Sequence, residues 1–203
     1  MLKPCWFLGC LVLAPGLLFG ETLTQGERNR AMSELHATRK SFLDSVSGLS
    51  QAQWTFKPGP DRWSAAECAE HIAASEDFLF DLVTKKIMQS PAAPEKRGET
   101  KGRDEQLLKS LLDRSARFKA PEPLAPSGRY PGRTELLEAF KKSRDRTIRY
   151  VETTPDDLRA HFAPHPVFQS LDAYQWILLI AGHTQRHVEQ ILEVKADPRF
   201  PRN

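Results

Sequence analysis

Two histidines, His183 and His187, stand one helical turn apart in the stretch from Ser170 to Val194, SLDAYQWILLIAGHTQRHVEQILEV. Side chains at i and i+4 of a helix share a face, so both imidazoles can aim at one point. Neutral imidazole ligates zinc, nickel and other first-row divalent ions, and bundle proteins build such sites from facing helices. His71, in a second amphipathic stretch, can supply a third nitrogen. Three such ligands would leave a coordination position open to water or substrate, the pattern of a catalytic rather than a structural ion. The competing interpretation is a satisfied polar pair near a bundle end. The zinc-protease motif is excluded: it needs glutamate directly after the first histidine, and Thr184 stands there.

Other polar residues are weaker candidates. Cys68 precedes His71 by three residues and is either a thiolate or a small buried apolar residue. Glu70, Glu76 and Glu189 can orient an imidazole through its second nitrogen, or lie on the surface. Arg186 is expected to pair with a carboxylate. His161 and His165 are also four apart, but Pro164 and Pro166 rule out a helical pairing, leaving a place at the pocket mouth or in a solvated loop. His36 reads as solvated.

The elements that must position these residues are helical. Met32, Leu35, Phe42, Val46 and Leu49 form one stripe and predict a helix over residues 22–49. A connector over 48–62 contains Pro58-Gly59-Pro60. Ser64-Ala65-Ala66-Glu67 is a capping box that opens a helix over 65–89. A loop over 90–102, a short helix over 104–119 and a proline-rich loop over 121–132 follow. Leu136, Phe140, Thr147 and Val151 predict a third long helix over 133–152, and a connector over 153–169 leads to the last one. Neither strand alternation nor a phosphate loop is evident. The expected fold is all-α: a four-helix bundle with a long crossover and a short extra helix.

The chain has 203 residues and a net charge of +3, with basic and acidic residues interspersed, which argues against a nucleic-acid partner. Lys3 followed by the uncharged run from Cys5 to Phe19 predicts a targeting signal over residues 1–20 and a mature domain over 21–203. The run is short for a membrane anchor, so the expectation is an exported protein, periplasmic or secreted, with no stable membrane insertion. Cys5 and Cys10 fall in that signal, so Cys68 has no intramolecular disulfide partner.

The segment Trp63-Ser64-Ala65-Ala66-Glu67-Cys68-Ala69-Glu70-His71, followed by Glu76, resembles the opening of the second helix in the DinB-like superfamily. His183-Thr184-Gln185-Arg186-His187-Val188-Glu189-Gln190-Ile191 resembles that superfamily's last-helix motif, and the link Lys119-Ala120-Pro121-Glu122-Pro123 is similar as well. The resemblance covers most of residues 22–197. It implies an up-up-down-down style bundle and a divalent ion, zinc or nickel, held by His71, His183 and His187. It also implies a small-molecule substrate and leaves room for a homodimer. Some members join thiols to electrophiles, so thiol transfer and hydrolysis are both expected reactions. A bundle that only holds a metal or small ligand is the alternative. Export departs from the superfamily's usual cytoplasmic pattern.

Overall fold

The computed structural model describes residues 22–115 and 118–202. The targeting signal expected over 1–20 lies outside them. Four long helices form the body: α1 (Gln25–Val46), α3 (Ala65–Lys85), α6 (Arg133–Thr153) and α7 (Ala173–Lys195). Short helices α2 (Gln51–Thr55), α4 (Arg97–Thr100) and α5 (Asp104–Leu112) lie between them, with strands β1 (Phe162–His165) and β2 (Gln169–Asp172) just before α7.

Local chemistry sets the helix starts. Thr24 with Glu27, Ser50 with Gln53 and Ser64 with Glu67 form reciprocal caps, each pair satisfying two otherwise unpaired backbone groups. Asp172 caps α7 by accepting the Gln175 amide at 2.8 Å.

Several expected boundaries move. The second long helix stops at Lys85 instead of residue 89, because Lys86 leaves helical geometry and a 3-10 turn covers Ile87–Gln89. The short extra helix ends at Leu112 instead of 119, where Asp113 turns extended. The last helix starts at Ala173, since Gln169–Asp172 pair antiparallel with Phe162–His165. That hairpin was not expected: four-residue strands, one holding Pro164, are too short for alternation to register. Gln169 turns it with φ of 62°. The connector after α1 likewise holds α2.

Cross-helix bonds fix the directions. Tyr174 donates to the Glu27 carbonyl and Lys195 to the Ser45 carbonyl, so α1 and α7 run parallel. Thr184 meets Glu76 while the His187 ring packs 4.5 Å from that of His71, so α3 opposes α7. Arg144 meets Glu76 and Tyr150 packs on Phe80, so α6 runs with α3. In chain order the helices therefore go up, down, down, up. The up-up-down-down order implied by the family resemblance appears only around the bundle, as α1, α7, α3, α6.

The parallel α3–α6 pair demands a crossover from one bundle end to the other. It climbs as α5 along α7, and residues 118–132 cross the far end. Gly182 permits that climb, because a Cβ there would sit 2.7 Å from Leu111 Cδ1. Two apolar clusters fill the bundle. Ile177, Leu35, Val83 and Val151 belong to one, and Phe42, Ile72, Phe140 and Ile191 to the other.

Candidate metal centre

His71 lies in the second turn of α3, and His183 and His187 lie on consecutive turns of α7. Antiparallel packing brings these levels together. One nitrogen from each of the three rings lies within 4.8 Å of the others. His71 Nε2 stands 3.2 Å from His183 Nε2, and the ring centroids of His71 and His187 are 4.5 Å apart.

The outward nitrogens fix how the rings present themselves. His71 Nδ1 donates to the Leu124 carbonyl at 2.8 Å, which leaves its Nε2 lone pair facing inward. His187 Nδ1 donates to Gln190 Oε1 at 2.9 Å. Trp63, just before the α3 cap, covers the site with its ring 5.0 Å from His71 and 6.0 Å from His187. His71 is buried, and His183 keeps partial exposure.

Burial holds all three imidazoles neutral. It depresses the His71 pKa, partly countered by the Leu124 bond and reinforced by the charge of Arg129. Burial, then the neighbouring His187 and His71, push His183 well below the ordinary value. Burial takes His187 down to about 3. Neutral nitrogens are the form that ligates. The donor set also fits an ion by size. Bonds of about 2.0–2.1 Å in a tetrahedral arrangement put neighbouring nitrogens about 3.3 Å apart, close to the His71–His183 separation.

The carboxylates considered as orienting partners serve other purposes. Glu70 is buried and accepts the backbone amides of Ser127, Gly128 and Arg129 at 2.7, 3.0 and 3.2 Å. Burial raises its pKa, but those amides and the Arg129 guanidinium outweigh this and leave it lowered. Glu76 is buried in an ion pair with Arg144. Glu189 accepts from Gln185 at 2.7 Å. Arg186 donates to the carbonyls of Leu111 and Asp113.

Cys68 is fully buried, and burial pushes its thiol pKa up, so it acts as a small apolar residue. His161 donates to the Ser90 carbonyl at 2.9 Å, away from the cluster. His165 packs on Phe168 and Trp176 in the hairpin, and His36 is exposed. Sequence reasoning missed Leu124, whose backbone carbonyl carries no residue signal. It also passed over Gln190, although its i+3 spacing from His187 was there to read.

A family model described as the DinB superfamily matches residues 34–191, a span that includes both histidine-bearing helices. The chain belongs to the DinB superfamily. Among proteins similar to this DinB chain is the uncharacterized protein YuaE of Bacillus subtilis (strain 168), 26% identical over 164 residues, covering 81% of this chain and 96% of its own. Among solved structures, YfiT from Bacillus subtilis is similar with a TM-score of 0.51 and 13% identity, over 87% of this chain and 90% of that one. YfiT is described as a probable metal-dependent hydrolase with an unusual four-helix bundle topology. At this identity the likeness is one of fold.

Proposed function

We propose that this DinB-superfamily chain is a metal-dependent hydrolase whose divalent ion, zinc or nickel, is held by His71, His183 and His187. The observation that carries the reading is the convergence of three neutral imidazoles from two helices within 4.8 Å. The description of YfiT as a probable metal-dependent hydrolase supports it by analogy.

Bound there, a divalent ion would supply Lewis acidity and make water a stronger acid at neutral pH. The chain's own groups do the rest. Leu124 and Gln190 hold two imidazoles in one tautomer, and Trp63 shields one flank of the cluster from solvent. Glu70 and Glu76 are engaged by other donors, so neither is free to join the donor set. Cys68 is buried, so the nucleophile must enter from outside as water or as a soluble thiol. That second option is the transferase reading of the same site.

The uncharged run from Cys5 to Phe19 supports export of the protein, and N-terminal sequencing from its own host should find a start near Glu21. No helix among the described residues is long and apolar enough to cross a membrane.

Isothermal titration with zinc and nickel tests the site. His71→Ala, His183→Ala and His187→Ala should each weaken binding sharply, and His36→Ala and His161→Ala should not. Unchanged affinity in His187→Ala would return the cluster to a structural role. A parallel screen of esters, amides and thiol acceptors with the loaded protein separates hydrolysis from transfer, and turnover of none would leave a metal-holding bundle.

A further inference from the structure

Glu193 lies near the end of α7, one turn beyond Gln190, whose amide oxygen holds the His187 imidazole. Its carboxylate receives two guanidinium groups. Arg114 Nε donates to Oε1 at 2.6 Å and Arg114 Nη2 to Oε2 at 2.9 Å, a two-point fork. Arg62 Nη2 donates to the same Oε2 at 3.2 Å.

The two arginines come from different parts of the chain. Arg114 stands just after α5 and also donates to the Arg186 carbonyl at 3.3 Å, which ties it to α7 a second time. Arg62 directly precedes Trp63. The Trp63 ring lies 5.0 Å from that of His71 and stacks on His187 at 6.0 Å with 27° between the planes. One carboxylate therefore fastens both the cover of the histidine cluster and the end of α5 to α7.

The two arms are not equally secured. The Arg62 side chain makes no hydrogen bond among the described residues except the one to Glu193, whereas Arg114 keeps its bond to the Arg186 carbonyl. Both Nη2 groups reach one oxygen, so the two cations are held close together with Glu193 between them. A neutral side chain at position 193 would leave like charges facing each other. The arm free to swing away is the one that carries Trp63.

We propose that Glu193 is a positioning residue for the histidine cluster: it clamps Trp63 over His71 and His187 and so limits exchange between the cluster and solvent. Retention of an ion by the clamp rests on the metal-site reading, and the clamp itself does not. Ion pairs this exposed add little to global stability, so the effect is local to the cover.

The rate at which a chelator strips zinc from the loaded protein tests it. Glu193→Gln and Arg62→Gln should each release zinc about fivefold faster, the scale that partly exposed ion pairs support, with denaturant midpoints close to the parent's. In a Trp63→Ala background Glu193→Gln should add nothing, because the clamp acts through that ring. Lys57→Met, which removes the ion pair to Glu67 from the same connector, should leave release unchanged. Parent-like release in both single variants, a full effect without Trp63, or equal acceleration by Lys57→Met would each overturn the proposal. Labelling of His187 by diethyl pyrocarbonate in metal-free protein, read by mass spectrometry, measures access without an ion and should be faster in Glu193→Gln. A parent that binds no zinc would sink the metal-site reading alone, and unchanged labelling in Glu193→Gln would overturn the clamp.

Discussion

Arg144 Nε lies 2.9 Å from Glu76 Oε2, and both side chains are withdrawn from solvent. Arg144 also donates to the Leu35 carbonyl at 2.6 Å, to Thr38 Oγ1 at 2.8 Å and to Thr184 Oγ1 at 2.9 Å, while Thr184 donates to Glu76. One guanidinium from α6 therefore touches α1, α3 and α7. Thr184 directly follows His183, so this network also sets the level at which α7 meets α3.

Removing one member of this pair should be costly. Arg144→Met leaves the Glu76 carboxylate buried without a counter-ion, a loss of about 3–5 kcal/mol. The double variant Arg144→Met/Glu76→Leu should recover much of it, since the uncompensated charge is then gone. Denaturant midpoints of the parent, both single variants and the double read the effect. Parent-like stability in Arg144→Met would show that the pair does not anchor the bundle.

The fold was readable in the sequence because four apolar stripes and the Ser64 capping box are local signals. The hairpin was not, since its short strands pair only after α6 and α7 bring them together. The histidine cluster was half readable. The one-turn spacing of His183 and His187 appears in the chain itself, but the meeting with His71 depends on the antiparallel register of α3 and α7. Arg144 gave no warning at all. It reads as one basic residue in a charged helix, and only packing shows that it is the largest side chain fully buried in the bundle.

Gly182 marks where α5 leans on α7 beside His183. Alanine there would gain about 1 kcal/mol of helix propensity. Its methyl would have to displace Leu111, which is itself buried, at a cost of about 1–3 kcal/mol. A net loss of roughly 1 kcal/mol is expected for Gly182→Ala, and a larger one for Gly182→Val. Thermal melts of both variants check this, and a stabilised Gly182→Val would mean that α5 is free to move.

The neutral histidines predict a pH dependence of stability in metal-free protein. Their folded pKa values lie below the unfolded value of about 6.5, so below that pH the unfolded chain binds more protons. Stability should be fully present above pH about 6.5 and fall with acid, in the case of His187 until its folded pKa of about 3 is reached. Urea midpoints in chelator between pH 7.5 and 5 measure the slope, and His187→Gln should flatten it. An unchanged slope in that variant would show that His187 is not held neutral.

Glu70 and His71 are consecutive residues, and both hold the loop that crosses the bundle end. Glu70 gathers three successive amides at Ser127, Gly128 and Arg129, with Gly128 at φ of 74° where a side chain would be strained. His71 binds the carbonyl of Leu124 in the same loop. Loosening the Glu70 clasp should therefore reach the imidazole through Leu124, with no change to a proposed ligand. Glu70→Gln replaces one acceptor oxygen by a donor that faces backbone N–H groups, at a cost of about 1–3 kcal/mol. Zinc affinity should fall by about tenfold, the lower end of what losing an outer partner of a ligating histidine costs. Hydrogen exchange over residues 121–132 should accelerate in the same variant. Faster exchange with parent-like zinc affinity would uncouple the loop from the cluster and assign Glu70 to loop stability alone.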